Sequence, residues 1–223
     1  MSAPPTLRAR ISRSALAANA HQALARAGTD AVADLRRDAF GHGVAVVAAA
    51  LATAGGRAVR TDDAASAAGL QVSSGAPTLD TALLYGFPGA GGLPVMLLSG
   101  TVLSTKRLLA GEGVSYGYAH RAVRDTRVAL VSGGYGQGVV RAVGDRVFVD
   151  VGERRCPIIG RVAMDVCVVE IGDAPVGPGD EVVFFGGNGL ARDALGQWRD
   201  ATGLSFAEIV CAAGLRAHRE DAA

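Results

Sequence analysis

The sequence has almost no lysine. Of its 22 basic residues one is Lys, Lys106, and the other 21 are Arg. Any chemistry that needs a side-chain amine therefore has one candidate. An excess of charge of either sign is missing as well. Twenty-two basic against 21 acidic residues leave a net charge of +1, so there is no electrostatic footprint for a nucleic acid. Cysteine is scarce and scattered: Cys156, Cys167 and Cys211 contain no C-x-x-C pair. That argues against a disulfide framework or a structural zinc site and predicts small buried residues in a reducing, cytoplasmic setting. The histidines, His21, His42, His120 and His218, form no metal-ligand pair at helical spacing. The longest apolar run, Val44 to Ala54, is too short to span a bilayer, so no membrane partner is expected. Met1 to Ile11 has no apolar core of a signal peptide. There is no Walker A sequence and no G-x-S-x-G elbow, and the Gly-rich stretch 133–138 lacks dinucleotide-fingerprint spacing.

What is present is hydrophobic residue content of 49% and 31 glycines in 223 residues, roughly twice the usual ~7% glycine. The chain can build a core and has many turns. Thr6 to Ile11 alternates as a strand does. Ser14 is placed to cap a helix that carries Leu16, Ala20 and Leu24 on one face and stops at Gly28. Ala31–Leu35 reads as a buried strand, Arg36–Gly43 as a turn, Val44–Ala54 as a helix and Ala58–Arg60 as a second strand. Alternation of this kind implies βαβ units and a parallel sheet. Thr81–Tyr85 is one more short apolar run, taken as a last strand, and Phe87–Pro94 is a Gly/Pro-rich linker. Beyond it the pattern is β: Val95–Leu103, Arg127–Val131, Val139–Val143, Arg146–Val151, Cys156–Val162, Val166–Ile171 and Glu181–Phe185. Seven short strands at this spacing predict an antiparallel sandwich or barrel. Helices are expected over Ala191–Ala201 and Ser205–Ala213, the latter with Ser205 and Glu208 as a capping box.

Several phrases are specific together. Asp38-Ala39-Phe40-Gly41-His42-Gly43 follows a predicted strand, and Leu83-Leu84-Tyr85-Gly86 precedes the linker. Gly111-Glu112-Gly113-Val114-Ser115-Tyr116-Gly117 lies between strands, Gly134-Tyr135 follows one, and Gly160-Arg161-Val162-Ala163-Met164-Asp165 joins two more. In content and order they resemble bacterial alanine racemase, an enzyme family that uses pyridoxal phosphate. The resemblance implies an N-terminal (β/α)8 barrel, a C-terminal β-domain, and a dimer whose active sites each draw on both subunits. The fold expected here is thus α/β plus β: a shortened barrel remnant over residues 1–90, then the antiparallel β-domain over 93–223, which the strand at 6–11 can join.

In that family the cofactor is an electron sink for the carbanion left when the α-proton departs. The resemblance matches Tyr116 to the proton-transfer tyrosine, which the β-domain contributes to the partner subunit. It matches Tyr135 to a second tyrosine near the site, and Met164 and Asp165 to the pair that meets the substrate carboxylate. The barrel half departs from the pattern. Where the family has its Schiff-base lysine this chain has Arg36, and a guanidinium neither forms that bond nor deprotonates to act as a base. Lys106 lies in the β-domain and cannot inherit the role. The two phosphate-binding tyrosines fall at Phe40 and Phe206, and the arginine at the pyridine nitrogen falls near Leu79. Ser66 matches a phosphate-binding serine in a looser alignment, in which Ala64–Leu70 reads equally as an ordinary barrel helix. A complete barrel needs about 250 residues, whereas Ala31 to Gly86 spans 56.

Each of these residues also has a plainer reading. Arg36 either pairs with a carboxylate or holds an anionic ligand at the strand end. His42 is a packed turn histidine or a catalytic one. Tyr116 and Tyr135 can be ordinary aromatics, Met164-Asp165 a turn requirement, and Phe40 and Phe206 core residues. Three functional readings follow from the resemblance: a degenerate racemase-like protein without independent turnover, an interaction module forming a mixed dimer with a full-length racemase and donating Tyr116, or an active alanine racemase, whose lysine could only be Lys106. The partner is a second copy or a full-length relative. Pyridoxal phosphate is the cofactor implied, with covalent attachment at odds with Arg36.

Overall fold

The computed structural model describes residues 6–222, except for the side chains of Tyr116 and Asp221. In chain order it contains β1 (Arg8–Ser12), α1 (Arg13–Ala27), β2 (Val32–Asp34), α2 (Val44–Thr53), β3 (Ala58–Arg60), β4 (Gln71–Val72) and α3 (Thr81–Tyr85). There follow β5 (Met96–Leu108), β6 (Gly113–Val114), β7 (His120–Arg121), β8 (Thr126–Ser132), β9 (Phe148–Val151), β10 (Arg154–Ile159), β11 (Val166–Glu170) and β12 (Glu181–Phe185). The last elements are α4 (Ala194–Thr202), α5 (Phe206–Gly214) and β13 (His218–Ala222). The chain divides into two compact units, one of residues 1–9 and 97–218, the other of residues 10–96 and 219–223.

The smaller unit holds a parallel sheet in the order β2-β3-β4, with Val32 opposite Ala58 and Val59 opposite Val72. α1 starts two residues earlier than its sequence suggested. Ser12, not Ser14, is the cap, its hydroxyl accepting from the Ala15 N–H at 3.2 Å. The reason is geometric: Ser12 is the last extended residue, so its side chain is the one that reaches the open first turn. Thr81–Tyr85 is a helix rather than a strand, because the Asp80 carboxylate accepts from the Leu83 N–H at 3.1 Å and starts a helical turn. Ala64–Leu70 forms only a 3-10 turn, Ala64–Ser66. Asn19 is buried and anchors the Gly/Pro-rich segment, donating to Leu93 O and accepting from Leu93 N–H, each at 2.8 Å.

The larger unit is built on a closed antiparallel barrel of six strands in the order β5-β8-β11-β10-β9-β12, with β12 returning to β5. The register sets Cys167 opposite Val131, Val182 opposite Val151 and Lys106 opposite Val128. Alternate residues point inward: Val131, Val149, Ile158, Val169, Val182 and Phe184 are all but inaccessible. Trp198 on α4 is buried edge-on to Phe184 and Phe185 at 6.3 and 5.4 Å. Val139–Val143 is not a strand. Its second half is a 3-10 turn, Arg141–Val143, in which the Val143 N–H bonds back to Val140 O at 3.0 Å. The Ser205–Glu208 capping box is formed in full. Cys156 and Cys167 are buried as free thiols and Cys211 only half so; burial pushes the Cys167 thiol up to about 12. No helix among the described residues is long and apolar enough to cross a membrane, and no group of metal-ligating side chains occurs among them.

Candidate functional site

In the smaller unit the candidate residues gather around the end of β2. Arg36 to Phe40 form a single helical turn of the wrong hand. Arg37, Asp38, Ala39 and Phe40 have φ of 54, 53, 51 and 55°, a conformation that costs L-residues on the order of 1–2 kcal/mol each. Four anchors hold it. The Arg37 N–H donates to Asp62 Oδ2 at 2.9 Å, and Asp38 Oδ1 accepts from the Val44 N–H at 2.9 Å, capping α2. Asp38 Oδ2 is paired with the Arg219 guanidinium. Inside the turn, His42 Nδ1 is 2.9 Å from Ala39 O. Behind it stands an aromatic stack: His42 lies parallel to the Tyr85 ring at 4.5 Å and Phe40 edge-on to it at 5.3 Å. The Tyr85 hydroxyl donates to Asp34 O at 2.8 Å.

Arg36 is gripped by Asp34. Its Nε and Nη2 donate to the two carboxylate oxygens at 2.8 and 2.6 Å, and its backbone N–H donates to Oδ1 at 3.2 Å. Burial of Asp34 works to raise its pKa, but the hydrogen bonds from Arg36 outweigh that and hold the carboxyl below its ordinary value. The same pair raises the Arg36 pKa further. Phe40 is half-buried rather than a core residue. The Ser66 hydroxyl donates to Asp63 Oδ2 at 2.6 Å and borders an open groove of about 460 Å³ with Asp38, Gly43, Val44 and Arg219. Leu79 is buried, its N–H bonded to Val32 O at 3.0 Å. No hydrogen bond or ring contact joins Arg36, Phe40 and Ser66 to one another.

In the larger unit the loop 133–138 lies on the turn 163–165. The Gly133, Tyr135 and Gly136 N–H groups donate to Asp165 O, Ala163 O and Met164 O at 3.0, 2.9 and 2.9 Å. Gly134 is required by this approach, since a Cβ there would stand 2.1 Å from Met164 O. Tyr135, Met164 and Asp165 thus form one exposed patch, with the Arg141 guanidinium 5.8 Å from the Tyr135 ring centre. Tyr116 opens a 3-10 turn, Tyr116–Tyr118, and its side chain lies outside the described residues. The turn is tied to the same segment, because the Arg161 N–H donates to Ser115 Oγ at 2.8 Å. Ser115 has φ 64° and ψ 179°, a region nearly reserved for glycine. Phe206 is half-buried, with the Arg199 guanidinium 5.0 Å from its ring. Lys106 projects from the outer face of β5.

Sequence reasoning missed Asp34 and Arg219, and named Tyr85 only within the phrase Leu83-Leu84-Tyr85-Gly86. Asp34 had a readable signal, a carboxylate two residues before an arginine at a strand end. Arg219 had none, since 181 residues separate it from Asp38.

The family profile "Alanine racemase, C-terminal domain" matches residues 95–221. Alanine racemase of Thermobifida fusca is 41% identical over 148 residues, which cover 66% of this chain and 40% of that protein. Alanine racemase of Mycobacterium tuberculosis is 40% identical over 120 residues, 53% of this chain and 31% of that protein. This chain therefore spans well under half the length of these curated relatives. Among solved structures, alanine racemase from D-cycloserine-producing Streptomyces lavendulae superposes with a TM-score of 0.84 at 20% identity, the aligned span running over 100% of this chain and 98% of that one. That from E. faecalis has a TM-score of 0.83 at 17% identity, over 98% of both chains. At such identity these superpositions speak for the fold. Profile, relatives and barrel agree, and the chain belongs to the alanine racemase family through its C-terminal domain.

Proposed function

We propose that this chain is an alanine racemase-like protein that does not interconvert L- and D-alanine by itself. The observation that carries the reading is the state of Arg36. It stands where the resemblance puts the cofactor lysine, and the Nε and Nη2 edge of its guanidinium is bound to both oxygens of Asp34. The residues present do not fit a covalently held pyridoxal phosphate. Phe40 offers a ring in place of a hydroxyl, and the Ser66 hydroxyl is engaged by Asp63. The chain's one amine side chain, Lys106, is on the outer wall of the β-barrel. No catalytic step is therefore derived through that cofactor.

The test is to incubate the purified chain with pyridoxal phosphate, reduce with borohydride and map the product by mass spectrometry, alongside an assay of solvent deuterium entering alanine. The expected result is no pyridoxyl lysine and no exchange. A stoichiometric adduct or measurable exchange overturns the reading.

A second reading is supported by the larger unit, whose barrel is closed and which keeps the Tyr116, Tyr135, Met164 and Asp165 positions. In it the chain pairs with a full-length relative and supplies Tyr116 to that partner's site. Co-expression followed by size separation decides it: a mixed dimer at micromolar concentration supports it, and two separate species remove it.

A further inference from the structure

The sole lysine borders a cleft that shares Gly113, Val114 and Ser115 with the phrase carrying Tyr116 but takes in none of the candidate site residues named above. The β6–β7 hairpin folds over the outside of the barrel wall and buries Val114 against Leu108, Val128 and Ile159. Beside this small core it leaves a cleft of about 350 Å³ lined by Ser104, Lys106, Val114, Tyr118, Leu130 and Val168, among others. The register explains the lining. Ser104 is opposite Leu130 and Leu130 opposite Val168, while Lys106 is opposite Val128. Residues directly opposite share a face of the sheet, so the apolar side chains form a floor with the lysine and serine along one side.

The polar groups at this cleft are unspent. Among the described residues Lys106 Nζ, Ser104 Oγ and Tyr118 Oη make no hydrogen bond or ion pair. Glu170 is opposite Val128 on the far strand, about 10 Å from the Lys106 strand across two strand spacings, and makes no pair with it. The hairpin side of the lining is also strained. Tyr118 has φ 47°, uncommon for an aromatic residue, and its ring sits so close over Gly113 that a Cβ there would come within 2.6 Å of it. Gly113 thus fixes the root of a side chain that is otherwise 66% exposed. Ser115 and Tyr118 both have positive φ, and both line the cleft.

We propose that this cleft binds a small monocarboxylate with a short apolar tail. The carboxylate meets the Lys106 ammonium and the hydroxyls of Ser104 and Tyr118, and the tail lies on Val128, Leu130 and Val168. One cation suits a single negative charge, and the apolar floor disfavours a dianion such as phosphate, whose second charge would go unpaired. The inference does not rest on the racemase-like reading.

The experiment is a titration of the whole chain, with Val and Leu methyl groups labelled for NMR, using hexanoate, hexanamide and inorganic phosphate. Hexanoate is expected to give saturable shifts confined to Val114, Val128, Leu130 and Val168. Lys106→Gln, an exposed change, is expected to weaken it roughly tenfold or more, the loss of one charge-assisted contact. Tyr118→Phe is expected to weaken it less. Hexanamide should bind the native chain at least about tenfold more weakly than hexanoate, by the same loss of charge. Absence of saturable shifts at these methyls, equal affinity for Lys106→Gln or hexanamide, or displacement of hexanoate by phosphate overturns the proposal.

Discussion

His42 makes the smaller unit sensitive to mild acid. The imidazole is inaccessible to solvent, sandwiched between the reversed turn and Tyr85. Its Nδ1–H donates to Ala39 O, while Nε2 has no partner among the described residues. Burial is the main reason its pKa falls from 6.5 to about 4, assisted by the Arg219 charge and opposed by the Ala39 and Phe40 backbone and Asp38. The unfolded chain takes up this proton near 6.5 and the folded chain only near 4. Between those values the unfolded state binds more protons, so stability is full above the upper value and is lost as pH falls toward the lower one. At about 1.36 kcal/mol per unit, the loss from pH 7 to 5 comes to about 2 kcal/mol, and to about 3 kcal/mol in all. Urea denaturation of the native chain and of His42→Gln at both pH values measures it, the variant cancelling the contributions of His21, His120 and His218. The expected result is that the native chain loses about 2 kcal/mol more than the variant over this range. Equal losses would refute the reasoning, as would an NMR titration showing His42 protonated near pH 6.5.

Two other outcomes follow from the same region. Tyr85→Phe keeps the aromatic stack but leaves Asp34 O without its buried donor, and should cost about 1–2 kcal/mol in the same denaturation assay; an unchanged midpoint would mean that water replaces the hydroxyl. Arg36→Lys is expected to give neither solvent exchange into alanine nor a pyridoxyl adduct at position 36, and either signal would contradict the part assigned to Asp34 and Phe40.

The legible parts of the fold were those where local chemistry and tertiary packing agree. Glu181–Phe185 is an apolar run between Asp180 and Gly186 and forms a strand over those residues. The Ser205–Glu208 box starts α5 as its spacing predicts. Reading failed where an apolar run had two outcomes. Thr81–Tyr85 and Val139–Val143 both look like buried strands, but Asp80 caps one into a helix and a Val140–Val143 backbone bond curls the other. The strand His218–Ala222 carried no hydropathy signal, being a polar segment. The reversed turn was unreadable for a deeper reason. Nothing in Arg37-Asp38-Ala39-Phe40 favours positive φ as four glycines would, and the anchors that impose it, Asp62, Val44 and Arg219, lie outside the motif. At the candidate site, motif matching picked out Tyr135, Met164 and Asp165, which the structure sets on two short loops joined by backbone hydrogen bonds. It could not show that Arg36 is already occupied.

That occupation ties Arg36 to the whole end of β2. Asp34 is nearly buried, its side chain 7% exposed, and its carboxylate is kept ionised by the fork it grips. Asp34 also lends its carbonyl to Tyr85, which stacks on the histidine that supports the reversed turn. A lysine at 36 would approach Asp34 as a point charge with one amine, lose the paired geometry of the guanidinium, and be held protonated by the carboxylate it replaced the fork on. A protonated amine has no lone pair to act as nucleophile or base. A free amine at this position therefore calls for a second change, at Asp34, and that change removes the charge around which the end of β2 is organised. The strand end is built for an arginine, and its fit is a property of the whole turn rather than of one side chain.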